Sequence, residues 1–206
     1  MVTLALVVAN VVLFVVELSQ GGEIDGLVRR WGLVPADFRD GPAASITLLT
    51  STFLHAGWFH LAANMVYLAV FGPPVERRLG PVRFLVLYVA SGLLGSLAYV
   101  LVQPLSTAPA VGASGAIAGV MAANLVLFPG ATLGSVAPVL FLHGVESTPT
   151  LLLLLLWLAT QVFSGVASLT TATGVVWWAH LGGFASGLIL APLLRPRRSL
   201  RNTRGR

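Results

Sequence analysis

Cysteine and lysine are absent from the sequence, and acidic residues number only 7 in 206. Without cysteine there is no disulfide framework, no thiolate metal site and no thiol nucleophile. Charge of either sign is scarce: 9% of residues are charged, against about a quarter in soluble domains. A net charge of +5 and a pI near 11.1 invite a nucleic-acid ligand. The distribution argues against one, because six of the 12 basic residues lie between Arg195 and Arg206. A short arginine-rich tail beside a membrane span is what the positive-inside rule describes, with anionic lipid headgroups as a secondary contact.

What the sequence does have is apolar length. Hydrophobic residues make up 56% of the chain and the mean hydropathy is +0.90. They come in blocks, and a span needs about 20 mostly apolar residues. The 22 glycines and 12 prolines also suit membrane helices. Six blocks are read: Val2–Leu18, Trp58–Phe71, Phe84–Val102, Gly112–Phe128, Thr150–Val166 and Val175–Leu194. The second is short unless it begins nearer Thr50, where Ser51, Thr52 and His55 interrupt it. The stretch Gly130–Glu146 reads as a loop with room for a surface helix.

Arginine sets the orientation. Arg77, Arg78 and Arg83 follow the second block, and the Arg195–Arg206 group follows the sixth. Six spans put both groups on the cytoplasmic side with both termini. Arg29, Arg30 and Arg39 fall in the outer first loop, balanced by Glu23, Asp25, Asp37 and Asp40. The first block lacks a basic lead and a clear Ala-x-Ala site, so it reads as a true span rather than a signal peptide. The expected organisation is a six-transmembrane-helix, all-α membrane domain over residues 1–194 and a basic cytoplasmic tail over 195–206. Arginine without lysine is the usage of a high-GC bacterium, which points to a bacterial plasma membrane.

The blocks differ in kind. Leu151 to Leu156 form an unbroken run suited to facing lipid. The fourth block is dominated by glycine and alanine, which let backbones approach closely, so it is expected at the centre of the bundle.

Polar residues inside spans are costly and mark function by default. Four stand out: His60, Asn64, Ser114 and His180. His60 and Asn64 are four apart and share one helix face. Blocks two, four and six run in the same direction, and His60, Ser114 and His180 each lie near the outer end. At 1.5 Å per residue they fall within roughly 5–15 Å of the outer surface. The pairs Gly115/Gly119 and Gly183/Gly187 have the small-xxx-small spacing that lets helices four and six touch. A serine hydroxyl needs a base, and neutral histidine is the usual one. His60, Asn64 and the Ser114 N–H could then serve an oxyanion. No acidic residue sits at that depth, so a dyad is expected rather than a triad.

The ordered set His60-x-x-x-Asn64, Gly112-x-Ser114-Gly115 and Ala179-His180-x-x-Gly183-x-x-x-Gly187 resembles the rhomboid intramembrane proteases. Glu76-Arg77-Arg78-Leu79-Gly80 is similar to the family too, and the likeness runs from about Trp31 to Leu194. It implies Ser114 as nucleophile, His180 as base, and His60 and Asn64 as oxyanion donors. It implies single-pass membrane substrates cut near their outer end, where the helix unwinds and small residues are favoured. No metal or organic cofactor and no nucleic acid is called for, and the oligomeric state stays open. Two departures are visible: Arg30-Trp31-Gly32 stands where members carry a Trp-Arg pair, and Ala118 stands where some place an aromatic against the base.

Plainer readings apply to single residues. A serine among glycines and alanines is usually packing, as are Gly112, Gly115, Gly119, Gly183 and Gly187. His55 reads as structural, His143 as a solvated loop residue, and Glu76 with Arg77 or Arg78 as an interfacial ion pair or topology signal. Trp31, Trp177 and Trp178 read as interface anchors. Three other functions would each require something different. An inactive relative would lack the serine or the base. A transporter would show internal repeats. A zinc site from His55, His60 and His180 would want a carboxylate at their depth.

Overall fold

In the computed structural model, which describes residues 1–39, 45–136, 146–169 and 176–196, every long element is an α-helix. In chain order they are α1 (Val2–Ser19), α2 (Ile24–Trp31), α3 (Thr47–Thr50), α4 (Trp58–Leu79), α5 (Pro81–Val102), α6 (Ser114–Leu127), α7 (Leu133–Val136), α8 (Thr150–Ala167) and α9 (Trp177–Leu194). Short 3-10 turns cover Gly21–Glu23, Pro35–Arg39 and Ser51–Phe53. No strand occurs among the described residues beyond two isolated bridges. Asp40, His143 and the arginines from Arg197 onward lie outside the described residues, as does part of the Gly130–Glu146 stretch.

Four helices, α1, α5, α8 and α9, are long and apolar enough to cross a membrane. A fifth candidate is the bent pair Thr47–Phe53 with Trp58–Leu79, which turns through 95° at its break. That break is why the second block looked short at its start: Ser51, Thr52 and His55 sit on the bent entry, not in the helix. At the other end α4 runs past the expected stop at Phe71 to Leu79, carrying Pro73 and Pro74 inside it. Proline removes a backbone donor, which normally ends a soluble helix. In a membrane bundle neighbouring helices support such a helix. Gly80 (φ 84) then turns the chain and Pro81 starts α5 at its first turn.

The burial pattern of α1 explains how it is held. Its buried residues are Thr3, Leu6, Asn10, Phe14 and Glu17, spaced by three and four along one face. Leu4, Val8, Val12 and Val15 on the other face are exposed and suited to lipid. A helix in lipid turns its polar side chains to protein. Glu76 of α4 accepts hydrogen bonds from the backbone N–H groups of Val2 (2.7 Å) and Thr3 (2.9 Å), and from the Thr3 hydroxyl (2.6 Å). Glu76 therefore caps the start of α1, where helix donors are otherwise unpaired. The expected ion pair with Arg77 or Arg78 is replaced by this role. Charge-assisted bonds of this kind contribute about 2 kcal/mol, so Glu76→Ala should lower the melting temperature measured in detergent by several degrees. An unchanged melting temperature would contradict the cap.

α6 is the centre. Every residue from Gly115 to Asn124 is buried, and α6 packs against α4, α5 and α9. By contrast Leu151, Leu152, Leu155 and Leu156 of α8 are exposed, and only Leu154 of that run is fully covered. At its closest points the α6–α9 contact is backbone against backbone. A Cβ built on Gly183 would collide with the Gly115 carbonyl, and one on Gly187 with the Gly119 carbonyl. A Cβ on Gly182 of α9 would collide with the Ala98 methyl of α5 and crowd the Gly95 backbone. Small residues thus bring three backbones together around α6.

Candidate active site

Three helix starts meet at one level. Ser114 is the first residue of α6, His60 the third of α4 and His180 the fourth of α9. The glycine contacts between α6 and α9 set the spacing, and Ser114 Oγ lies 2.7 Å from His180 Nε2. A heavy-atom distance of this size is a short hydrogen bond and within the reach a nucleophile and base require.

The chain enters α6 through a constrained segment. Leu33 and Ala110 exchange backbone hydrogen bonds (3.0 and 2.7 Å), tying the first loop to the approach to Ser114. Gly112 N–H donates to the Ser51 carbonyl at 2.9 Å. Gly112 has φ 128, a conformation that favours glycine. A Cβ there would also come within 2.8 Å of His60 Nε2. The same point lies 3.6 Å from Ser114 Oγ, so His60 and Ser114 border one volume beside Gly112.

Local hydrogen bonds orient the donors. The Ala56 N–H donates to His60 Nδ1 at 3.3 Å. That leaves the His60 proton on Nε2, directed toward the volume beside Ser114. Asn64 Nδ2 donates one hydrogen to the His60 carbonyl at 3.1 Å, and an amide carries two. Both side chains line a cavity of about 420 Å³ together with Tyr67, Ile117, Met121, Trp157, Ser114 and His180. Its walls come from α4, α6, α8 and α9 and from the segments just before α4, α6 and α9, and they are mostly apolar. A smaller niche of about 20 Å³ reaches Ser114 from behind, lined by Ser51, Thr52, Ser96 and Tyr99. Ser51 and Thr52 therefore border a separate chamber from His60 and Asn64. His55 is buried, 1% exposed, and lines neither.

The base is held by residues outside the expected catalytic set. His180 Nδ1 is hydrogen-bonded to Gln161 Oε1 of α8 at 2.6 Å. The indoles of Trp157 and Trp177 lie 6.1 and 6.0 Å from the imidazole centroid. Trp157 also packs on Phe184, and the two join the cluster formed with Ala118 and Ala122. The space left by the small Ala118 is thus taken by aromatics from other positions. Trp177 therefore also borders the site, and Trp178 packs against the cluster of Leu33 and Tyr99. Trp31 keeps an exposed edge, with the Arg30 guanidinium 5.4 Å over its ring. Gln161 could have been found: it is a polar side chain in the leucine-rich fifth block, the same signal that singles out His60 and His180.

Glu17 was missed for a different reason, since its position near the end of the first block reads as interfacial. It is 1% exposed and accepts the His55 N–H at 3.1 Å. That contact ties α1 to the bent segment leading to His60, whose ring lies 5.3 Å from that of His55. Among the described residues no three His, Asp or Glu side chains gather as a metal site.

A family model for the rhomboid domain matches residues 42–197. The chain belongs to the rhomboid family, whose members are generally serine proteases of membranes. It is 33% identical to YdcA of Bacillus subtilis (strain 168) over 147 residues, covering 70% of this chain and 64% of that protein. It is 46% identical to the rhomboid protease GluP of the same organism over 78 residues, 38% of this chain and 15% of that one. It is also 33% identical to inactive rhomboid protein 1 of Drosophila melanogaster over 111 residues, 54% of this chain and 8% of that one. Each match spans less than two thirds of the relative's own length. Together with the apolar helices, the family makes this a multi-pass membrane protein.

Proposed function

We propose that the chain is an intramembrane serine endopeptidase that cuts single-pass membrane proteins near the outer face, using a Ser114–His180 dyad. The observation that carries this is the 2.7 Å Ser114–His180 hydrogen bond on the wall of a mostly apolar cavity of about 420 Å³. An extended peptide from a transmembrane segment needs such a cleft, with apolar walls for its side chains and polar groups only where the bond is cut.

In this reading Ser114 Oγ attacks the scissile carbonyl carbon while its proton passes to His180 Nε2. The oxyanion receives hydrogen bonds from His60 Nε2–H, the free Asn64 amide hydrogen and the N–H of Ser114 at the start of α6. Collapse breaks the C–N bond, and the amine leaves with the proton from His180. Water, deprotonated by His180, then cleaves the Ser114 ester and restores the hydroxyl. The polar niche behind Ser114 has room for about one water. Each transfer uses side chains of this protein, and the glycines at 112, 115, 119, 183 and 187 act by keeping the helices in register.

The topology belongs to the same proposal. α6 has 14 residues, about 21 Å of helix, less than the roughly 30 Å hydrocarbon core. A central helix that opens into a cavity sunk in the bilayer has no need of the full thickness. Counting α6 as a span beside the five other candidates makes six, residues 1–194 form the membrane domain, and both termini lie in the cytoplasm of a bacterium. The 195–206 tail then forms the cytoplasmic basic end.

Purified protein in liposomes, given a reporter with one transmembrane helix, should release two fragments whose junction maps near the outer end of that helix. A chelator should leave the rate unchanged, because no step calls for a metal. Folded protein that never cuts the reporter would favour a binding role like that of the inactive relatives, and activity restored only by zinc would overturn the dyad.

A further inference from the structure

We infer that Gln161 is the positioning residue of the dyad, holding His180 in the one tautomer and orientation that can take the Ser114 proton. The inference rests on the Ser114–His180 reading and adds to it a member that the dyad description leaves out.

The geometry is specific about direction. An amide side chain can be turned either way, so its partners must decide which atom faces the imidazole. Here the decision comes from α8 itself. The Thr160 hydroxyl donates to the Trp157 carbonyl at 2.6 Å, which uses its only hydrogen. Thr160 Oγ1 is then free to accept, and Gln161 Nε2 donates to it at 3.0 Å and to the Trp157 carbonyl at 3.4 Å. Turning the amide over would set an oxygen against those two acceptors. Gln161 therefore presents Oε1 to His180, 2.6 Å from Nδ1.

An oxygen at Nδ1 accepts, so the imidazole proton sits there. Nε2 is left with its lone pair toward Ser114 Oγ at 2.7 Å. The opposite tautomer would put a hydrogen on Nε2 and leave the serine without a base. When His180 takes the proton and becomes a cation, the same carbonyl oxygen stays in contact with it. Gln161 is 5% exposed, so water does not replace it. The choice of an amide is physically sensible. A buried carboxylate carries a large desolvation penalty, whereas a neutral amide gives the directed hydrogen bond without an uncompensated charge in the bundle.

Helix geometry makes the placement robust. Leu154, Trp157, Gln161 and Gly165 recur at three and four residues and form one face of α8. Gly165 lets that face approach α9 beside Trp177. Trp157 flanks the imidazole from the turn before Gln161. One face of one helix thus supplies both the wall and the acceptor.

The test compares wild type, Gln161→Met and Gln161→Glu in liposomes with the single-span reporter, measuring kcat and KM, and melting temperature alongside. Methionine matches the length without an acceptor, whereas glutamate keeps an oxygen at the same position. The expected result for Gln161→Met is a fall in kcat of about 10- to 100-fold, with KM and melting temperature close to wild type. Gln161→Glu should recover part of the lost kcat, because one oxygen meets His180 while the second faces the Trp157 carbonyl. Gln161→Met with wild-type kcat would overturn the inference. So would equal losses in both variants accompanied by lowered melting temperatures, since that pattern marks packing. Wild type that does not cut the reporter would instead sink the Ser114–His180 reading, and this inference with it.

Discussion

Ser114→Ala should abolish cleavage of a single-span reporter while leaving the melting temperature of the protein unchanged. The exchange removes one oxygen at the first turn of α6, where alanine is a better helix former than serine. Nothing in the core depends on the hydroxyl, whose bond to His180 faces the cavity. His180→Ala should be as damaging, because a serine without its base is a poor nucleophile. For a nucleophile and base that act as one unit, losses are about 10⁴-fold or more and do not add. The double variant should therefore be no slower than either single one. Additive losses, or a Ser114→Ala protein that still cuts, would mean that the reacting hydroxyl lies elsewhere.

The second large effect is expected from a residue that does no chemistry. Gly183→Leu should lower activity by about 100-fold or more, because displacement of reacting groups by about 1 Å costs that much. The reason is steric. A Cβ at 183 meets the carbonyl and backbone of Gly115 in α6, and backbone within a helix has little room to give. The helices must part, and His180 lies one turn before the clash on the same helix. Overpacking also costs about 1–3 kcal/mol, so the melting temperature should fall as well. Gly26→Ala serves as the control, since no atom lies within 4 Å of its Cβ position. If Gly183→Leu cut the reporter at the wild-type rate, the glycine contact would not be what sets the Ser114–His180 distance.

Much of this site was legible in the sequence because lipid makes polar residues conspicuous. His60, Asn64, Ser114 and His180 stood out against apolar surroundings, and the structure places all four on one cavity. The glycine spacing carried the helix contact in the same way, because a missing side chain at every fourth position has few other uses in a span. What stayed hidden was hidden by context. Gln161 was obscured by the leucines around it, although its burial follows the same rule. Thr3, Asn10 and Glu17 repeat every seven residues along α1 and turn inward together. That stripe can be recognised once α1 is seen as a helix with one polar face, but not from its mean hydropathy.

The boundaries failed where the chain breaks its own pattern. Pro73 and Pro74 look like a stop, yet α4 continues through them to Leu79. Sequence periodicity could not reveal the 95° bend before Trp58 either, since both sides are helical. The role of Glu76 needed the start of α1 beside it, a contact between residues more than seventy positions apart. Long-range polar pairs of this kind leave no local signal.

The most direct test of the central claim is chemical. Purified protein treated with a fluorophosphonate, which reacts only with an activated hydroxyl, should carry a single adduct that peptide mapping places on Ser114. The adduct should be missing from both Ser114→Ala and His180→Ala. Folded wild-type protein that takes up no label, or carries it on another residue, would contradict the account.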